Sequence, residues 1–384
     1  MTTRCSRHRE SRPAPGVLYA TLPFLSPSLV FAAALLGSDR LGKAGEQDLR
    51  KLAVTNIHQA DADFAYQGEY RGSMCDPSCG VRRRAGLQVV ARGGGKFDAV
   101  LYRGGLPGAG GDLRTRTKLT GASASGVLTL NAENLTVTCD GRAAHVRDAL
   151  GRSVGCLANV QRVSPSLGAA PPRGAIILFD GTSTAEFDDA RISNEGLLEV
   201  GAVTKREVGD FRLHLEFRLP YMPHAVGQGR GNSGVYVQRR YEVQILDSFG
   251  LDGTNNECGA LYRQQPPALN MCLPPLAWQT YDIWFTAARW DAEGNKIANA
   301  RITLRHNGVP VHSCYKIATK TGAGRPEGPD ELPILLQNHG NPVQFRNIWM
   351  VEGSRPGAVA SCAWPARLPC GWLHRLLGRL RCRE

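Results

Sequence analysis

Glu242, Gln244 and Asp247 stand in a single run, Tyr241-Glu242-Val243-Gln244-Ile245-Leu246-Asp247. Carboxyl groups move protons and amides orient hydroxyls, so this combination suits acid–base work on a polar substrate. The run alternates, which predicts a strand with Tyr241, Val243 and Ile245 on an apolar face and Glu242 and Gln244 on the other. Strict alternation would bury Asp247 among the apolar side chains, at a cost on the order of several kcal/mol. Either the strand ends at Leu246, or a bulge returns Asp247 to the side of Glu242.

The rest of the chain must build the sheet that holds this run. With 384 residues, 42% of them hydrophobic, and 44 glycines and 23 prolines, the composition fits two domains of a turn-rich, mostly β protein. The formal charge of +12 sits largely at the ends: residues 1–45 carry +4 and residues 353–384 carry +5, leaving +3 for the body. A nearly balanced body has no basic stripe for phosphates, which argues against nucleic acid as a partner.

A basic start and an apolar stretch from Val17 to Leu36 give residues 1–45 the pattern of a secretory leader and an exported protein. Residues 46–163 are expected to form a small accessory β domain, with a hairpin over Gly86–Arg92 and Lys96–Tyr102 turned by Gly93-Gly94-Gly95. A Pro-rich linker follows at 164–173. From 174 to 352 alternating strands recur, clearest at Phe211–Leu219, and predict an all-β, two-sheet antiparallel jelly-roll sandwich. Leucines with interspersed arginines give the basic tail at 353–384 the pattern of a short amphipathic helix, so membrane contact is expected only through the termini. The 11 cysteines suit disulfides better than zinc, with Cys75 and Cys79 spaced for a local bridge and Cys139 and Cys156 flanking a hairpin-sized segment.

The second domain resembles the 3-keto-disaccharide hydrolase family, also described as a 3-keto-glucoside 1,2-lyase and 3-keto-2-hydroxy-glucal hydratase. The matching blocks are Leu178-Phe179-Asp180-Gly181-Thr182, Gly231-Asn232-Ser233-Gly234-Val235-Tyr236, Tyr241 to Ser248, Cys258-Gly259-Ala260-Leu261-Tyr262, Trp278-Gln279-Thr280-Tyr281-Asp282, and His339 to Trp349. This resemblance implies a concanavalin-like jelly roll whose concave sheet holds a glycoside or oligosaccharide. Two positions depart from the family pattern: Asn338 stands where Asp is common, and Arg239 at or near a common Gly.

In a 3-keto-glucoside the ketone makes the C2 proton acidic, so elimination of the C1 oxygen and return of water amount to hydrolysis. On that reading Glu242 or Asp247 is the base or acid, and His339 is the second proton carrier, imidazole being the side chain whose unperturbed pKa is about 6.5. Asn232, Gln244, Gln337 and Arg346 would orient the sugar. The structural alternative for Glu242 is an exposed strand carboxylate paired with Arg240. Glu242-x-Gln244-x-x-Asp247 is also similar to the Glu-x-Asp-x-x-Glu strand of laminarinase-type retaining glycosidases, where a bulge brings paired carboxyls to ~5–5.5 Å. A non-catalytic lectin-like module is the third reading, with Tyr236, Tyr262 and Trp278 stacking on sugar faces. Asp247, Glu257 and His339 could contribute ligands to a divalent cation, without matching a metal motif.

Overall fold

The structure, a computed structural model, describes residues 49–75 and 80–353. The leader expected at 1–45 and nearly all of the tail expected at 353–384 lie outside the described residues.

The first half is a closed up-and-down barrel of eight antiparallel strands: β1 (Gly68–Cys75), β2 (Arg82–Ala91), β3 (Lys96–Arg103), β4 (Asp112–Ala124), β5 (Val127–Ala132), β6 (Leu135–Cys139), β7 (Ala143–Asp148) and β8 (Ser153–Val160). Each strand pairs with the next in sequence, and β8 returns to β1 through Gly72↔Leu157, which leaves no open edge. Inward residues such as Leu87, Val89, Leu101, Leu119, Leu130 and Val137 are buried and fill the interior. The β2–β3 turn uses Gly93, Gly94 and Gly95 at φ 75°, 62° and 72°, a run of left-handed conformations that side chains disfavour.

The second half is a sandwich. One sheet has the order β10 (Phe187–Asp188), β12 (Val203–Val208), β21 (Leu332–Leu336), β14 (Ser233–Val237), β15 (Tyr241–Ile245). The other has the order β11 (Leu198–Glu199), β22 (Gln344–Glu352), β13 (Phe211–Arg218), β16 (Trp278–Thr286), β19 (Arg301–His306), β20 (Val309–Lys316), with β9 (Ile176–Phe179) also joined to β22. A small ribbon, β17 (Arg289–Trp290) and β18 (Lys296–Ala298), lies off this path. Alternation in β13 puts Phe211, Leu213, Leu215 and Phe217 into the core between the sheets, where they meet Val235, Val243, Ile245 and Tyr281.

The two halves interlock. Val54 and Tyr221 exchange backbone hydrogen bonds, and both pack into the barrel's apolar cluster, while Val90 of the barrel packs into the sandwich core. A side chain at Gly93 would run into the imidazole of His224, so the glycine turn seats directly on the β13–β14 loop. Residues 164–169 lie along the large sheet: Ser164 and Ser166 bond the Thr280 hydroxyl, Ser166 donates to Asp282 at 2.7 Å, and the Ala169 carbonyl accepts from Asn347 and Trp349.

The cysteines depart from expectation. Cys75 and Cys139 are free thiols and Cys156 is disulfide-bonded, so neither the local Cys75–Cys79 bridge nor a Cys139–Cys156 bridge forms. Cys139 points into the barrel at 1% exposure, whereas Cys156 sits between the buried Gly155 and Leu157 and faces outward; the barrel wall separates them.

Candidate functional site

The face of the five-stranded sheet turned away from the core is built at β14 and β15. Their register sets Tyr236 opposite Glu242 and Gly234 opposite Gln244, so these four positions share one face, while Val235, Val237, Tyr241, Val243 and Ile245 share the other. All ten residues of the two strands are buried, because loops cover the outer face. Residues 259–262 run along the free edge of β15: Gln244 N–H donates to Ala260 O, Gly259 N–H to Gln244 O, and Tyr262 N–H to Glu242 O. The Thr321–Gly322 turn closes above, with the Glu242 N–H donating to Thr321 Oγ1 at 2.6 Å.

Glu242 is the centre of this arrangement and is 2% exposed. The Tyr236 hydroxyl donates to its Oε2 at 2.7 Å. The Gln244 amide lies 3.0 Å from its Oε1; with its nitrogen turned that way it donates there and to the Ser233 carbonyl at 2.9 Å. Burial raises the Glu242 pKa to about 7, against the lowering effect of the Tyr236 hydrogen bond. The carboxyl is thereby poised to take up or release a proton near neutrality. Burial, and after it the adjacent carboxylate, raises the Tyr236 pKa, so the hydroxyl stays a donor.

Gln337 joins the same face from the end of β21. Its N–H donates to the Gly234 carbonyl and its own carbonyl accepts from the Ser233 hydroxyl, while its Oε1 is buried without a hydrogen-bond partner. A Cβ at Gly234 would sit 2.7 Å from Glu242 Oε1 and 3.3 Å from Gln337 Oε1. Glycine here leaves room for two oxygens to converge over the strand. Asn232 is reached through Gln228, whose side-chain oxygen accepts from Asn232 at 3.2 Å and lies 3.0 Å from the Gln244 amide, and the Asn232 N–H donates to Asn341 Oδ1 at 2.7 Å. Tyr262 is half-buried beside Glu242, with the Arg263 guanidinium 5.3 Å from its ring centre. His339 and Asn338 are exposed on the turn after Gln337, where Asn338 Oδ1 caps the Gly340 N–H.

Four of the residues singled out in the sequence lie apart from this group. The strand ends at Ile245, and Asp247 turns to Arg230 with a 2.6 Å ion pair, both side chains being buried. Arg230 also donates to the Ala91 carbonyl of β2, so Asp247 serves the junction with the barrel. Arg240 does not pair with Glu242: it points to the other end of the sheet and holds the 321–331 loop through the Pro326 and Asp330 carbonyls. Trp278 and Arg346 belong to the other sheet, where Arg346 stacks 4.0 Å above the Trp278 ring and bonds Glu216 at 2.7 Å. Alternation places a side chain on a face but does not say which sheet carries it.

Gln228, Thr321 and Asn341 were not among the sequence candidates, although each bonds a site residue. Gln228 sits in Gly227-Gln228-Gly229-Arg230-Gly231, a glycine-rich turn in which Gly227 and Gly231 take positive φ, 52° and 60°. Glu257, considered as a metal ligand, caps its own turn by accepting from the Gly253 and Thr254 N–H groups. Among the described residues no three His, Cys, Asp or Glu side chains converge as a metal-binding group. Cavities of 420 and 250 Å³ lie elsewhere, the first lined by Asp210, Gln238 and Asp330 and the second by Gln265, His312 and Tyr315; neither includes Glu242.

Residues 174–351 match the family model of the 3-keto-alpha-glucoside-1,2-lyase-like domain. The sandwich belongs to this family. Solved structures similar to the lyase-like domain include two proteins of Parabacteroides distasonis, each provisionally named a glycosyl hydrolase. One is 32% identical, covers 47% of this chain and 84% of its own, and has a TM-score of 0.43. The second is 17% identical, covers 47% of this chain and 94% of its own, and has a TM-score of 0.34. No protein of curated function matches the chain. Family membership makes the lyase-like domain a carbohydrate-active one.

Proposed function

We propose that the lyase-like domain cleaves 3-keto-glycosides by elimination followed by hydration, with Glu242 as the proton carrier. The observation that carries this reading is a buried carboxyl with a pKa near 7, held between a tyrosine hydroxyl and an amide. In the ionised form Glu242 takes the C2 proton, and the electron pair moves toward the C3 carbonyl oxygen. As that carbonyl re-forms, the C1–C2 double bond forms and the C1–oxygen bond breaks. The departing oxygen takes a proton from His339. Water then adds its hydroxyl to C1 and gives its other proton to His339, and Glu242 returns the proton to C2. Gln337, Gln244 and Asn232 orient the sugar hydroxyls, and the substrate enters by displacing the Thr321–Gly322 turn or Tyr262 from above the carboxylate.

Retaining hydrolysis needs a second carboxyl close to the first. The engagement of Asp247 with Arg230 weighs against it. The test is to incubate the full-length protein in deuterated water with a 3-keto-disaccharide and, separately, with its unoxidised parent. Cleavage of the oxidised sugar alone, with deuterium at C2 beyond the enzyme-free control, is the expected result. Cleavage of the parent, or of the oxidised sugar without C2 labelling, overturns the reading.

A further inference from the structure

Glu242 is 2% exposed, so a substrate reaches it only where the cover parts. Beside the carboxyl the cover has a seam, between residues 262–264 and residues 319–322. A Cβ at Gly322 would stand 2.9 Å from Tyr262 Cδ1 and 3.4 Å from Glu242 Oε2, so the two segments meet next to the carboxyl. Gln264 clasps them, its Nε2 donating to the Thr319 carbonyl at 2.6 Å and to the Lys320 carbonyl at 3.0 Å. Thr319 and Lys320 are exposed, and a clasp made by one side chain parts more readily than a strand ladder.

Each lip of the seam carries a cation. On one side Arg263 is exposed at φ 59°, and its guanidinium lies 5.3 Å from the Tyr262 ring centre. On the other, Lys320 folds back so that its Nζ donates to the Gly322 carbonyl at 2.9 Å. Two positive charges are thus held against the two groups that cover Glu242, and neither makes an ion pair with another described residue. The acids of the same loops are placed elsewhere. Asp247 pairs with Arg230, Asp252 with Arg116 and Lys118, and Glu327 with Lys296. Glu257 caps its own turn, and Asp330 and Glu331 line the 420 Å³ cavity. The lips are therefore complementary to an anion.

With C2 and C3 of the sugar at Glu242, the substituent on the C1 oxygen is the part that passes out through the seam. We propose that the site takes 3-keto-glycosides whose leaving group bears a carboxylate, held at the seam by Arg263 and Lys320, an assignment that rests on the elimination reading above. The two side chains touch no reacting atom and act on the choice among glycosides.

The test compares two 3-keto-glucosides of equal size with the full-length protein, one with a carboxymethyl-phenyl leaving group and one with the corresponding carboxamide. A methylene insulates the leaving oxygen in both, so charge is the difference that matters. At low salt kcat/KM for the carboxylate is expected to be about fivefold higher, the scale of two exposed charge pairs, and to fall toward that of the amide at high salt. The Arg263→Gln/Lys320→Gln double variant is expected to treat the two alike. Equal kcat/KM in the parent, or a preference that survives in the double variant, overturns the assignment. Calorimetric binding of both compounds to Glu242→Gln separates it from the elimination reading. Tighter binding of the carboxylate, with neither compound cleaved by the parent, keeps the anion site and removes the elimination reading. Equal or absent binding of the two overturns the anion site whether or not the parent cleaves them.

Discussion

Replacing Glu242 by glutamine separates what this carboxyl does for chemistry from what it costs the fold. Its pKa is raised from 4.5 to about 7 by burial. Between those values the folded chain holds a proton that the unfolded chain releases, so stability falls as pH rises through the window. At 1.36 kcal/mol per pH unit the full penalty above pH 7 is about 3 kcal/mol. Glutamine keeps the shape and accepts from Tyr236 but never ionises. Glu242→Gln is therefore expected to unfold at higher urea than the parent at pH 8, by up to about 3 kcal/mol, and to match it near pH 4. Turnover of a 3-keto-glycoside is expected to drop by about 10²–10⁴ in the same preparation. Urea titrations at the two pH values, beside initial rates, read both effects. A stability gap that is the same at pH 4 and pH 8, or a variant that retains turnover, refutes the reasoning.

Tyr236→Phe removes the hydrogen bond that favours ionised Glu242, so the acidic limb of kcat/KM is expected to move alkaline by about 1 to 2 pH units; an unmoved limb shows that another group titrates. Asp247→Asn leaves Arg230 buried without its counter-charge and is expected to cost about 3–5 kcal/mol in equilibrium unfolding, with turnover per folded molecule nearly unchanged. A large loss of turnover at preserved stability would instead make Asp247 a proton carrier. In the β14–β15 turn, Gln238 and Arg239 both adopt positive φ, 50° and 47°; Arg239→Gly is expected to raise stability by roughly 0.5–1 kcal/mol, and a lower unfolding midpoint contradicts that account. Burial alone would lower the pKa of His214, but hydrogen bonds to the Asp282 and Glu216 carboxylates more than reverse it. The imidazolium's contribution is thus fully present below about pH 6.5 and lost as pH rises through its folded pKa, so the protection of the Gly168 amide, which donates to Glu216, relative to its intrinsic exchange rate is expected to fall at alkaline pH in the parent and to stay level in His214→Gln.

Much of the sandwich was legible in the chain because its strands bury one face at a time. Phe211 to Leu219 alternates cleanly, and β13 forms over Phe211–Arg218. The barrel was less legible. β4 reads Asp-Leu-Arg-Thr-Arg-Thr-Lys-Leu-Thr-Gly-Ala-Ser-Ala, and Leu119 is its one buried residue, so its pairing with β3 and β5 stabilises it more than its own pattern does. Closure of the barrel is a property of register between distant strands, which no local window contains. At the site, the sharing of a face by Glu242 and Gln244 followed from a period of two. The fate of Asp247 did not, because the residue that decides it, Arg230, arrives from another loop and is itself fixed by a carbonyl in the first domain. Arg346 and Trp278 misled for a related reason: their neighbours in sequence belong to the matching blocks, but their strands lie in the opposite sheet.

The hydrogen bond from Arg230 to the Ala91 carbonyl bears on how such a chain can be altered in evolution or in the laboratory. A sandwich cut free at residue 174 would lose that acceptor, uncover Tyr221 and Val90's seat, and loosen the loop that carries Gln228 and Asn232 to the sheet. The barrel acts as a splint for the loop that flanks the Glu242 face. Exchanging it for another module demands a replacement carbonyl and a matching apolar plug at the same place. The unit that can be transplanted intact is therefore the pair of domains and not the family domain alone.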